Sequence, residues 1–288
     1  MHPEPGEPAN PELRPLLRLV RRPAFTSAPP GRLSVWHWLG WQGLLTLALL
    51  LGGVLDQILL RVFHLPPVQS ARLAFLGHPS WAAVAALLAA PALEELGFRA
   101  FLSTAPKFVF TGLAFFSAYV YGFIYQDATT RIAFPTSPAA VLARYAHVFW
   151  IILPAGVISL LLYRYRRDAV LAFFRHRAGW VFWTSCIVFG AGHSRLYSNG
   201  LEWWSFALVM PQFLAGVGLA YLRTSFGLRW SIAAHYAIDI PFVLLRWLYA
   251  LAASSALLHG MFVTLLVGIL MTMAYGSVVL QRVVRLRW

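Results

Sequence analysis

The chain has 288 residues, of which 59% are hydrophobic and only 11% charged, and its mean hydropathy is +0.66. A soluble chain carries about 25% charged residues, so this composition excludes a soluble globular domain and points to a polytopic membrane protein. The formal net charge of +13 does not point to nucleic acid, because the arginines cluster between apolar runs, where topology signals belong.

Residues 1–32 form a compositional zone of their own, with eight prolines and five arginines. A cleavable signal peptide opens with a short basic region leading directly into an apolar core, and this segment does not. It reads as a flexible, cytoplasmic basic arm lying on anionic lipid, with partner binding as the alternative. Residues 33–288 read as an all-α transmembrane helix bundle. Each span needs about 20 apolar residues, and the runs suggest eight, at about 35–60, 80–105, 108–126, 143–163, 178–196, 203–222, 229–247 and 257–281. Neither a soluble domain nor an internal repeat is visible between them. With the N-terminus inside, inner segments collect sixteen Lys and Arg residues, among them Arg164, Arg166, Arg167, Arg175, Arg177, Arg223 and Arg229. Outer segments collect six: Arg61, Arg72, Arg131, Arg144, Arg195 and Arg246. That bias places both termini in the cytoplasm. Cys186 is the only cysteine, which excludes an intramolecular disulfide framework and a cysteine-based metal cluster.

Three polar clusters interrupt the apolar runs. The first is Glu94-Glu95-Leu-Gly-Phe-Arg99. Each charge at mid-bilayer opposes insertion by roughly 2.5–3.5 kcal/mol, so a span carrying three must pair, hydrate or use them. Glu95 and Arg99 are four apart and share a helical face. Glu94 is turned about 100° away and need not be consumed by that pair. The bland alternative is a structural salt bridge with a spare carboxylate. The second cluster is Phe189-Gly-Ala-Gly-His193, in which the ring can pack beneath the imidazole and the glycines admit a close helix. Alone, such a histidine is more often structural than catalytic. The third is His235-Tyr-Ala-Ile-Asp239, again on one face, and is either functional or an Asp–His hydrogen bond that ties helices together. Converging Glu, His, His and Asp side chains from three spans can activate water and stabilise an oxyanion. Asp56, Gln57, His147 and Asp127 read as structural or loop residues.

In order, Glu94-Glu95-x-x-x-Arg99, Phe189-x-x-x-His193 and His235-x-x-x-Asp239 resemble the three signatures of the CPBP family of intramembrane endopeptidases. That family includes the CAAX-prenyl-protease and bacteriocin-processing, Abi-type proteins. The segment from Phe213 to Trp230 resembles the stretch that precedes the third motif, so the resemblance covers about 80–106 and 178–247, roughly half the chain. It implies that Glu94 is the base that activates water, with His193 helping to hold that water. It also implies that His235 and Asp239 stabilise the oxyanion, and that Glu95 and Arg99 keep the site assembled. The implied partners are a membrane-anchored or prenylated protein or peptide substrate and the bilayer, with no nucleic acid, and the implied location is a bacterial inner membrane.

Two departures qualify the resemblance. The interval between the first two motifs holds two extra spans, which can reshape substrate access. Asp239 also stands where prenyl-protein proteases carry Asn; it either donates as a neutral acid or orients His235. The site is expected to need no cofactor, although a His, His and Glu set can also ligate zinc. Two rival readings stand beside the protease: a non-enzymatic scaffold or immunity protein, and a proton-coupled transporter.

Overall fold

A computed structural model of the chain describes residue 23 and residues 35–65, 81–129, 138–197, 203–252 and 255–285. Every regular element among them is helical. In chain order they are α1 (Val35–Val62), α2 (Trp81–Phe98), α3 (Pro106–Thr129), α4 (Pro138–His176), α5 (Ala178–Gly192), α6 (Met210–Phe226), α7 (Leu228–Ala252) and α8 (Ala256–Arg285). Two 3-10 turns, His193–Leu196 and Trp203–Val209, lie between α5 and α6. The basic arm 1–32, apart from Pro23, and the side chains of Asp127 and His147 lie outside the described residues.

Three segments are long and apolar enough to cross a membrane by length and composition: Trp38–Val62, Trp203–Phe226 and Ala256–Gly276. Their burial differs sharply, at 22%, 61% and 0% of the most apolar window. α6 is therefore the central post of the fold and α8 a peripheral stave. The outward residues of α8 include Leu257, Met261, Met271 and Val278, all exposed. Large exposed apolar side chains on an outer helix suit a lipid solvent, which does not penalise them as water does.

Local sequence accounts for the element ends. α2 stops at Phe98, short of the expected limit near residue 105, because the chain tightens over the next residues. The amides of Arg99 and Ala100 both donate to the Glu95 carbonyl, at 2.9 and 3.0 Å, and Pro106 then opens α3, a position that suits its missing N–H. α4 runs to His176, well past the expected 163. It is two helical pieces joined at a kink at Arg166 (φ −134°, ψ 17°), and the second piece begins in the Arg-rich stretch where an apolar-run criterion stops. α6 and α7 are joined by Gly227, whose φ of 102° favours glycine because it has no Cβ. The Gly227 amide closes α6 onto the Leu222 and Arg223 carbonyls.

α6 packs against α1, α5 and α7, while α2 is held between α3 and α7. The core has two patches. One gathers Phe101, Leu102, Val109, Phe174 and Phe182; the other gathers Leu45, Phe98, Phe189, Leu219, Tyr221 and Leu222. Phe98 links its neighbours edge-on, with ring centroids 5.7 Å from Phe116, 4.5 Å from Tyr119 and 5.4 Å from Phe189, a geometry favoured by the ring quadrupoles. Where α1 meets α8, a Cβ on Gly276 would lie 2.8 Å from the backbone of Gly43. Backbone cannot yield as a flexible side chain does. Gly276→Val should therefore lower stability by about 1–3 kcal/mol, read as a lower thermal unfolding midpoint in detergent.

Candidate active site

The two adjacent carboxylates of α2 have different environments. Glu95 is fully buried, whereas the Glu94 side chain keeps 18% of its exposure. Successive positions on a helix are rotated by about 100°, so one faces the packed interior and the other a cavity. Glu95 Oε1 lies 3.3 Å from Arg99 Nη1 and 3.0 Å from His235 Nδ1. Its second oxygen accepts from the Ser231 hydroxyl. Glu95 therefore ties α2 to α7 as well as to its own helix end.

Arg99 is also fully buried, with its guanidinium carbon 3.8 Å from the Phe189 ring centre. A cation stacked on a ring and paired with a carboxylate has two sources of compensation for its lost hydration. Carbonyls at and just beyond the end of α2 accept from side chains of other helices. Arg223 of α6 donates Nε to the Arg99 carbonyl (2.9 Å) and Nη2 to the Ala100 carbonyl (3.1 Å), and Ser185 of α5 donates to the Phe98 carbonyl. In the sequence Arg223 counts among the basic inner residues. In the fold it is buried and acts as a helix cap. The Arg99 carbonyl also accepts from the Leu102 amide at 3.0 Å, so Arg223→Met should leave the Ala100 carbonyl as the group that loses its donor and cost about 1–3 kcal/mol in thermal unfolding.

His193 follows directly on α5, where the helix tightens into a 3-10 turn. Its Nδ1 lies 2.7 Å from the Phe189 carbonyl, and its ring sits against Phe189 at 4.6 Å. A carbonyl can only accept, so Nδ1 carries a proton and Nε2 is the atom presented to the cavity. That Nε2 lies 3.9 Å from Glu94 Oε2. His235 Nε2 lies 3.8 Å from the same oxygen and 3.6 Å from Asp239 Oδ2. Both separations to Glu94 exceed a direct hydrogen bond. They set two imidazoles around one carboxylate oxygen within the reach of a small bridging group.

All six residues singled out in the sequence thus lie together. Glu95 and Arg99 form the dry foundation, while Glu94, His193, His235 and Asp239 line a cavity of about 830 Å³. The orientation of His235 follows from Glu95, whose contact at 3.0 Å is shorter than that of Asp239 at 3.6 Å.

Sequence reasoning missed other contributors. Ser231 is four residues before His235, so a 231–235–239 stripe was available as a signal. Tyr236 of α7 donates to the Leu88 carbonyl, beside the interruption that Pro91 makes in α2. Asp56 and Gln57, expected to be structural, line the cavity. The Tyr197 hydroxyl donates to Asp56 at 3.2 Å and accepts from Gln212 at 2.9 Å. Burial, with the Asp56 carboxylate nearby, pushes the Tyr197 phenol above its ordinary pKa, so it remains a neutral donor.

Among the described residues, no group of three or more His, Cys, Asp or Glu side chains has an arrangement that could hold a metal ion. Comparison with known proteins gave no relatives: no family model, no curated protein and no solved structure matches the chain.

Proposed function

We propose that the protein is a multi-span membrane peptidase that hydrolyses peptide bonds of membrane-anchored or prenylated proteins or peptides. The observation carrying this reading is the convergence of His193 and His235 Nε2 on one oxygen of Glu94, at 3.9 and 3.8 Å, inside a cavity within a largely apolar helical bundle. A general base needs a proton-accepting oxygen within reach of water. Glu94 is the partly exposed carboxylate of its pair, and Glu95 is committed to Arg99, Ser231 and His235. The three-motif resemblance to the CPBP endopeptidases supports the same assignment.

In this mechanism Glu94 takes a proton from water while His193 Nε2 helps to orient that water. The resulting hydroxide attacks the scissile carbonyl carbon, and the carbonyl π electrons move onto oxygen. His235, doubly protonated, donates Nδ1–H to Glu95 and Nε2–H towards the new oxyanion. Asp239 adjoins that Nε2 and flanks the oxyanion position. Collapse of the tetrahedral species expels the amine, which takes the proton held by Glu94. No step uses a metal. The eight helices are read as eight spans with both termini in the cytoplasm.

The test is hydrolysis by protein reconstituted in liposomes with a library of membrane-anchored peptides, run in ¹⁸O-labelled water with and without a strong chelator. New internal termini carrying ¹⁸O in the carboxylate, at equal rates in both conditions, support the mechanism. Chelator loss restored by zinc would remove the metal-free chemistry. Proton-coupled flux without any cleavage would favour a transporter.

A further inference from the structure

The membrane topology and the shape of the cavity together assign the side from which the site is reached. The inference rests on the peptidase reading for its chemistry, and on the proposed eight-span topology together with the shape of the cavity for its direction.

The basic segments mark one face of the bundle. They include Arg164, Arg166 and Arg167 near the kink of α4, Arg175 in the last turn of α4, Arg177 just after it, and Arg229 at the start of α7. By the positive-inside rule that face is cytoplasmic. α5 and α7 start there and α6 ends there. The cavity is lined by the opposite portions of these helices: Phe189 and Gly192 from the end of α5, Pro211 and Gln212 from the start of α6, and the run from His235 to Arg246 of α7. From α1 it takes residues from Leu49 to Arg61, the half farther from the cytoplasmic arm.

Burial shows the same polarity. On the cytoplasmic side of the site lies a dry floor of Glu95, Phe98, Arg99, Leu219, Leu222 and Ser231, each with 0% exposure. At the other end the lining residues Val54, Ile58 and Phe242 are exposed, at 58%, 50% and 58%. Arg246 lies seven positions beyond Asp239, about 10 Å farther along α7 at 1.5 Å per residue. Polar and apolar lining continues over that distance, through Ile238, Asp239, Phe242 and Val243 to Arg246.

We propose that the site draws its substrate from the non-cytoplasmic side. Its substrates would then be membrane-anchored segments already translocated, whose scissile bond reaches Glu94 from the non-cytoplasmic side. Tails tethered to the cytoplasmic surface would be excluded, which narrows the substrate class named above. The exposed apolar rim of α1 and α7 suits a segment that remains partly in lipid while its backbone reaches Glu94.

Cysteine accessibility tests the direction without requiring proteolysis. The natural chain is the blank, since its only cysteine, Cys186, is fully buried. Asp239→Cys reports on the site, Ile58→Cys on the rim and Arg166→Cys on the basic face. A membrane-impermeant maleimide is applied to right-side-out and inside-out vesicles. Asp239→Cys and Ile58→Cys should react at least tenfold faster in right-side-out vesicles, and Arg166→Cys at least tenfold faster in inside-out ones. Asp239→Cys labelling from inside-out vesicles, or from neither side, would overturn the proposal; Ile58→Cys decides it if Asp239→Cys does not fold. A paired arm presents the same juxtamembrane peptide library on either face of the membrane. Cleavage confined to the non-cytoplasmic arrangement supports the proposal, and cleavage of the cytoplasmic one refutes it. Correct labelling with neither arrangement cleaved leaves the direction standing and removes the peptidase reading instead.

Discussion

Glu94→Gln should lower the turnover of a membrane peptide substrate by about 10²–10⁴-fold, the usual contribution of a positioned general base, while the protein stays folded and inserted. Gln keeps the shape of Glu but cannot accept and carry the water proton. The side chain is 18% exposed and faces the cavity, so the exchange leaves no new buried group without a partner. Its unfolding midpoint should change little, within about 0.5 kcal/mol as for substitutions away from packed features. Turnover unchanged in this variant would remove the proposed mechanism. Loss of folding, with no proteolysis by the parent chain, would favour the scaffold.

Arg99→Met should have the opposite phenotype, destabilising the fold by about 3–5 kcal/mol, the usual cost of removing one partner from a buried ion pair. Met fills much of the volume but leaves the fully buried Glu95 without the cation 3.3 Å away. It also removes the cation that rests on Phe189. Unfolding in detergent, followed by tryptophan fluorescence or calorimetry, gives the stability. At temperatures where the variant remains folded, the displacement of Glu95 should reach catalysis through His235. A stability loss below about 1 kcal/mol would place the pair with exposed salt bridges, which contribute little.

Adjacent carboxylates with contrasting environments were legible in the sequence because a helix rotates successive residues by a fixed angle. The i, i+4 spacing also indicated the Glu95–Arg99 pair and the packing of Phe189 on His193. Contacts between distant segments were not legible. Glu95 and His235 are separated by 140 positions, and no local pattern says that Glu95, rather than Asp239, orients the imidazole. Arg223 resembled a topology charge because it follows an apolar run, yet the run's end is where α6 meets the buried carbonyls of Arg99 and Ala100, just beyond α2. The hydrogen-bonded set Asp56, Tyr197 and Gln212 joins three segments and likewise had no local signature. The length of α4 escaped an apolar-run criterion because helix formation continues in an Arg-rich sequence after the lipid-compatible stretch has ended.

The central claim, that Glu94 makes this chain a membrane peptidase, is tested most directly by mapping protein termini in membranes that contain either the natural chain or Glu94→Gln at equal abundance. The expected result is a set of new termini, within or beside apolar anchors, present with the natural chain and missing with the variant. Identical sets of termini in the two membranes, with both proteins folded and inserted, would contradict it.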